Sequence, residues 1–402
     1  IRDRDKSTYL VILGLVSFGY LNNNLLPLDN NIPYVCTMGW SLFGFFYYKG
    51  YSPLYTLKNQ LYVICFFMLL FLSQLTPTFN RFHQDFFSTV VANRFEYSFI
   101  FLLVLFKIGP TEEDIFRAFN ILGIIALILA VIAFFFPVWF VDLHKLLGFL
   151  RNQGDLDFLA AAPGFPCAVF YFYILGYKVL IKYKQQKHLL VWFSLFMAYI
   201  FIVQNRSTLL IAVPFYLYVL LRSDFRIKWL ILSILIIGCG SYLLFVFDAL
   251  MEETRGQLND THYNRWQAIY YYVLERDYNF YNTLLGNGKP CAGSPYLYEL
   301  VRVSKSRLAF VSDIGLIGTF YMYGLAMMLF IYRFVFVALL NKGFPTYLRF
   351  YALWVLIVPT IHCFGTGTEC SGMLLFAIFF YCIILHEDNY GCICNHSELQ
   401  HL

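Results

Sequence analysis

Apolar residues along this chain of 402 residues are gathered into blocks of about 17–25, the length that crosses the hydrocarbon core of a bilayer as a helix. Twelve such blocks are expected, near residues 8–25, 32–48, 59–76, 86–107, 115–140, 161–181, 188–204, 207–221, 227–248, 308–332, 348–364 and 371–386. Asn and Pro interrupt the first two, and the seventh and eighth are separated by almost no connection. Alternating ten-residue segments are absent, which excludes an outer-membrane barrel. The pattern divides the chain into nine spans over 1–248, a large loop over 249–306, and three further spans with a tail over 307–402.

Composition agrees with this reading. The chain is 60% hydrophobic and 13% charged, where a soluble domain carries about 25% charged residues. A net charge of +5 is too mild to imply a nucleic-acid partner. The 45 Phe, 32 Tyr and 6 Trp suit interfacial belts and stacking surfaces as well as plain core packing. Most of the cysteines lie in apolar blocks and read as small buried hydrophobes. The C-terminal "CICNH" brings Cys392, Cys394 and His396 together but lacks a fourth ligand, so no metal is expected. No cleavable signal peptide is evident, and the first residue is Ile1, so the natural start is expected upstream.

Sidedness follows from Lys and Arg. With the N-terminus inside, 17 of the 29 basic residues fall on inner connections. Seven of the other 12 belong to the one long loop and its exit, and long loops cross largely regardless of charge. Only Arg81, Arg94, Lys145, Arg151 and Arg206 remain on short outward connections. Both termini are expected inside.

Those outward cations are the first candidates for chemistry. Arg206, in "QNRSTLLIAV", sits between two spans with almost no loop to retreat into, and a charge at a helix centre costs about 2.5–3.5 kcal/mol. Arg151 lies in "LRNQGDLDF", and Arg265 and Arg307 in and after the long loop. Arginine binds phosphate oxygens bidentately and stays charged, so such a cluster at a membrane surface suits a phosphate or diphosphate headgroup. For loop arginines, pairing with Asp or Glu, or snorkelling, is the plainer account. Within the loop, "THYNRWQAIYYYVLER" sets Trp266, Ile269, Tyr270, Val273 and Leu274 on one apolar helical face, with Asp260 or Thr261 as cap. Arg265 then stands near a helix N-terminus, where an anion is favoured; an amphipathic surface helix without a ligand reads equally from the pattern. The turn "LLGNGKP" follows.

Asp313, a few residues into the tenth span, is costly unless paired. It either accepts a proton from a sugar hydroxyl or neutralises an arginine. His262 is a candidate general base or an ordinary loop histidine. Arg94 and Glu96 are two residues apart, do not face each other on a helix, and are expected to pair with charges on other spans. "DLD" (Asp155, Asp157) has a metal-binding spacing but reads better as solvated loop. "GTGTECSG" reads as an outer turn, and Cys291 and Cys370, both outside, are a candidate disulfide.

Four features together resemble bacterial O-antigen polymerases of the Wzy type and, more broadly, the O-antigen ligase superfamily. They are "NRSTLLIAV" opening a span, "NRWQAIYYYV" followed by "LLGNG" in the large loop, the re-entry "SDIGLIG", and about a dozen spans with one dominant late loop. The informative part covers roughly residues 150–330. Many members carry a histidine just before the re-entry span, where this chain has Val311; the proton acceptor then falls to Asp313 or His262.

The resemblance implies an all-α integral membrane protein of about twelve transmembrane helices, GT-C-like, with a partly helical periplasmic loop before the tenth. It implies inverting, metal-independent sugar transfer at the outer face of the bacterial inner membrane, without a cofactor. The substrate would be a glycan on undecaprenyl diphosphate, and a chain-length regulator is a possible partner. Arg206, Arg265, Arg151 and Arg307 would bind the diphosphate, Asp313 or His262 would take the acceptor proton, and Trp266 and Tyr270 would stack on sugars. A ligase of the same superfamily and a transporter or flippase of lipid-linked sugars are the alternatives, the last predicting broken helices that meet near the midplane.

Overall fold

The computed structural model describes residues 3–18, 20, 31–81, 83–135, 150–153, 156–159, 164–182, 186–203, 206–223, 264–275, 279–291, 293–307, 311–361 and 370–399. The described chain is helical but for one hairpin. In order it forms α1 (Asp3–Ser17), α2 (Asn31–Tyr47), α3 (Leu57–Arg81), α4 (Phe86–Ala92), a 3-10 turn (Glu96–Ile100) running into α5 (Phe101–Ile108), and α6 (Glu112–Phe135). The hairpin β1 (Leu150–Gln153) and β2 (Leu156–Leu159) precedes α7 (Phe165–Lys182), α8 (His188–Val203) and α9 (Arg206–Arg222). The late half holds α10 (Asn264–Ile269) with a π-turn (Tyr270–Glu275), α11 (Phe280–Leu285), α12 (Pro295–Arg307), a 3-10 turn (Val311–Ile314), α13 (Gly315–Leu340), α14 (Thr346–Ile361) and α15 (Cys370–Leu399).

Among the described residues four helical segments are long and apolar enough to cross a membrane: Leu57–Leu75, Glu112–Ile132, Phe165–Lys182 and Gly315–Leu340. A fifth arises if Phe86–Ala92 and Glu96–Ile108, bent by 66°, count as one span. Shorter apolar helices occupy His188–Phe201, Thr208–Arg222, Thr346–Ile357 and Gly372–Glu387. The described residues thus form a helical protein with four or five candidate membrane-spanning segments. The expected span at 227–248 lies outside the described residues. The expected continuous span at 86–107 is corrected to a broken one, because Asn93, Arg94 and Glu96 interrupt its apolar run and the chain turns there.

Aromatic rings fill the core in edge and tilted contacts: Phe66 on Phe99 at 4.1 Å, Phe334 on Phe380 at 3.9 Å, Phe215 on Phe350 at 4.5 Å. Such geometry adds about 0.5–1.5 kcal/mol per pair beyond burial. Cys167 and Cys382 are buried among these rings, as their apolar settings predict.

One end of the bundle is tied by helix-end chemistry. The last carbonyls of α5 have no partner within the helix. Ser52 Oγ donates to Phe106 O (2.6 Å), Ser52 N to Lys107 O (3.0 Å), Lys6 Nζ to Gly109 O (3.0 Å) and Tyr381 OH to Pro110 O (2.7 Å). Gly109, at φ 58°, turns the chain into α6. Thr111 and Asp114 then form a reciprocal capping box, Thr111 N on Asp114 Oδ2 at 2.9 Å and Asp114 N on Thr111 Oγ1 at 3.2 Å. Glu112 accepts from Tyr347 OH at 2.8 Å and meets His386 Nε2 at 3.0 Å, bringing α14 and α15 to the same end. Removing the cap hydroxyl with Thr111→Ala is expected to lower stability by about 1 kcal/mol, measured as a lower melting midpoint in detergent; an unchanged midpoint contradicts the capping account.

Candidate functional site

At the opposite end, the "LLGNGKP" turn is built into the bundle. Helix α11 starts at Asn279, whose side chain accepts from Asn282 N at 2.8 Å, and ends at Gly286 with φ 85°. Helix α13 is broken at Gly324, where φ is 73° and ψ 177°. The break leaves carbonyls short of helical partners, and the turn supplies donors: Asn287 N to Tyr321 O at 2.7 Å and Gly288 N to Met322 O at 2.9 Å. The approach is so close that a Cβ on Gly286 would stand 2.4 Å from Met322 O, and one on Gly324 2.3 Å from Gly286 N. Glycine is required at both positions by space as well as by φ.

The next residue, Lys289, fastens the turn to two further elements. Its amide donates to Gln74 Oε1 on α3 at 2.8 Å, and its carbonyl accepts from Gln84 Nε2 at 3.1 Å. Its ammonium lies 2.7 Å from Glu96 Oε1, which also accepts from Tyr323 OH at 2.8 Å. The Glu96 side chain is 1% exposed and that of Lys289 15%. One carboxylate therefore joins the broken span, the broken helix α13 and the loop turn. Glu96 pairs with Lys289 of the loop turn, not with a charge on another span as expected. A Glu in an apolar segment with no base one turn away was the available signal, but nothing in the order of residues identified Lys289. The neighbourhood retains buried polar atoms without a hydrogen-bond partner among the described residues: Glu96 Oε2, Asn93 Oδ1, Arg94 Nε, Ser98 Oγ and Asn287 Oδ1.

The residues proposed from sequence lie on several other elements. Arg206 is the first residue of α9, Arg265 the second of α10, Arg307 the last of α12, and Asp313 lies in the 3-10 turn Val311–Ile314. Helix α10 packs on that turn and on α12, while α14 packs on the turn and along α9. Trp354 Nε1 on α14 donates to Thr208 Oγ1 at 2.9 Å, two residues from Arg206. The elements bearing Arg265, Arg307 and Asp313 are thus neighbours, and the one bearing Arg206 joins them through α14. Arg151 is on β1, opposite Phe158, and β2 packs against α8. The connection that holds it contains a hairpin, with "LRNQ" and "LDFL" paired across a short turn. His262 lies outside the described residues, as do Asp260 and Thr261.

Two further expectations are corrected. The loop helix is one α-helical stretch followed by a π-turn, so its burial is not that of a single amphipathic helix. Ala268 and Tyr272 are its buried residues, with Tyr272 against Tyr321 at 4.7 Å. Trp266 (47% exposed), Tyr270 (52%), Val273 and Leu274 face outward instead of packing on the bundle. Outward rings remain available to a ligand or an interface, whereas Tyr272 does not. Cys291 is a free buried thiol rather than half of a disulfide with Cys370; its amide is held by Gln84 Oε1 at 2.9 Å inside the docked turn.

No protein-family model matches the chain, and no curated protein matches it at a significant level. Removing one partner of a buried ion pair leaves an uncompensated charge. Lys289→Met is expected to destabilise the protein by about 3–5 kcal/mol, with much of the loss recovered in Glu96→Gln/Lys289→Met. Melting midpoints of the two single variants and the double variant check this; additive losses would dissolve the pair as a unit.

Proposed function

We propose that the chain is a polysaccharide polymerase that transfers a growing glycan from undecaprenyl diphosphate to a lipid-linked repeat unit. The observation that carries the reading is the packing of α10, which bears Arg265, onto the turn that bears Asp313, with α12 and its terminal Arg307 alongside. Cations and a carboxylate on adjoining elements are what glycosyl transfer from a diphosphate needs. The acceptor hydroxyl attacks the anomeric carbon from the face opposite the leaving group, inverting it. The carbon–oxygen bond breaks with its electron pair passing to the diphosphate, and the hydroxyl proton passes to Asp313. Arg206, Arg265 and Arg307 neutralise the charge that gathers on the departing oxygens. Trp266 and Tyr270, outward-facing on the loop, offer rings for stacking on sugars.

In this reading the chain has about twelve spans in a GT-C-like arrangement, lies in a bacterial inner membrane, and keeps both termini in the cytoplasm. The shorter apolar helices beside the four long ones support the larger count, and the lysine-rich helix ends on the face of Lys6 support the orientation. A chain-length regulator is the expected protein partner. Val311, at the position where many ligases carry histidine, favours polymerase over ligase.

One observation favours a second reading, a transporter or flippase of lipid-linked sugars. Two broken helices meet through Glu96 and Tyr323, the arrangement found where transporters bind cargo.

Deletion followed by gel analysis of surface glycan separates the readings. A polymerase loses the long ladder but keeps single repeats, a ligase loses all attached repeats, and a flippase loses outward-facing repeats altogether. Arg206→Ala and Asp313→Asn are each expected to abolish the ladder at normal protein level, a loss of about 10²-fold or more in transfer rate. A full ladder in either variant removes that residue from the mechanism.

A further inference from the structure

Helix α13, one of the four long candidate spans, carries a cation on the face it turns outward. Leu325, Leu329, Phe336 and Leu340 are exposed, and Arg333 is exposed between them. Steps of three or four residues put all five on one side of the helix. Arg117 has the Glu113 carboxylate at 3.8 Å and Lys289 has that of Glu96 at 2.7 Å. Among the described residues Arg333 has no carboxylate, only the Phe334 ring 5.9 Å from its Cζ. Charged residues in a membrane helix almost always turn inward and pair. An outward arginine without an acid therefore calls for an anion from outside the chain.

The surface around Arg333 is shaped for such an anion. A depression of about 530 Å³ runs from Arg333 past Phe336, Val337 and Leu340 to Asn341. Asn341 Oδ1 accepts from Gly343 N at 3.0 Å, which leaves its Nδ2 as a donor. Lys342 follows, exposed and also without a carboxylate among the described residues. The polar groups at both ends are thus donors, two of them cationic, and the floor between is apolar. Position fits as well. About 10 Å of helix separates Arg333 from the last residue, Leu340. At that depth an arginine stem lies along hydrocarbon while its head reaches the phosphate level. Past Arg333 the apolar stripe continues through Leu329 and Leu325 toward the middle of the candidate span, the direction lipid tails take from their phosphate.

We infer that this depression is the headgroup site of one anionic phospholipid. Its phosphate takes a bidentate pair of hydrogen bonds from the Arg333 guanidinium, with the Asn341 amide and the Lys342 ammonium beside it. Its tails lie on Leu329 and Leu325. Two cations with no acid between them select a headgroup with net negative charge, because the ammonium of a zwitterionic lipid meets like charge there. The site rests on α13 crossing a bilayer, and it uses none of the residues assigned to transfer.

Native mass spectrometry of the full chain in mild detergent, supplied with equal amounts of phosphatidylglycerol and phosphatidylethanolamine, tests it. A phosphatidylglycerol adduct is expected to dominate on the parent protein. Arg333→Gln is expected to reduce its occupancy about tenfold, the ratio one charge-assisted hydrogen bond supports. Lys342→Gln is expected to reduce it less, and Arg117→Gln, which removes a cation already paired with Glu113, to leave it unchanged. Arg333 is exposed, and circular dichroism confirms that its variant is folded. Equal adducts of the two lipids, a folded Arg333→Gln that keeps phosphatidylglycerol undiminished, or an equal loss in Arg117→Gln would each overturn the site. So would a dimer of the chain, with no lipid, that Arg333→Gln dissociates. Carbonate extraction of cell membranes tests the span by itself: a chain that is released was never in the bilayer, and the site falls with it.

Discussion

The arrangement turns on one carboxylate. Glu96 is buried at the start of the 3-10 turn that leads into α5, and it accepts from both Lys289 and Tyr323. An ionised carboxylate taken out of water costs several kcal/mol unless its partners are close and well placed. Satisfying Glu96 therefore obliges three segments, far apart in sequence, to meet. The loop turn must come in to supply Lys289, and α13 must present Tyr323. The span at Asn93–Phe95 must bend so that Glu96 faces both.

Backbone chemistry makes that meeting possible. Gly286 and Gly324 let two chains approach within a distance no side chain tolerates, and the carbonyls freed by the break in α13 are taken up by Asn287 and Gly288. Inside a bilayer, irregular backbone survives only where it is satisfied by protein in this way. The docked turn lies between α11 and α12, and α12 runs on toward the re-entry turn carrying Asp313. The Glu96 node thus holds the turn from which α12 departs.

Hydropathy made the apolar, helical character of the fold legible. The expected spans at 59–76, 161–181 and 207–221 became Leu57–Arg81, Phe165–Lys182 and Arg206–Arg222, because an unbroken apolar run in lipid has helix as its ready solution. The breaks were not legible. Glycine is common in membrane helices, and Gly315, Gly318 and Gly324 look alike in sequence, yet only Gly324 stands opposite Gly286. The run at 86–107 is apolar enough to pass as one span, and Glu96 within it finds its partner in Lys289, almost two hundred positions later. Periodicity placed Trp266, Tyr270 and Leu274 on one face, but it carries no information on whether that face meets protein, lipid or water. Of the candidate residues, the sequence identified the types and the segments; which segments touch was decided by tertiary packing.

Amide hydrogen–deuterium exchange across residues 286–291 tests the dependence on this node most directly. If the turn is docked into the broken helix through Glu96, the amides of Asn287, Gly288 and Lys289 exchange as slowly as those of α13 in the parent protein, and Glu96→Gln makes them faster while α6 is unchanged. Exchange of these amides in the parent at the rate of free loop would contradict it.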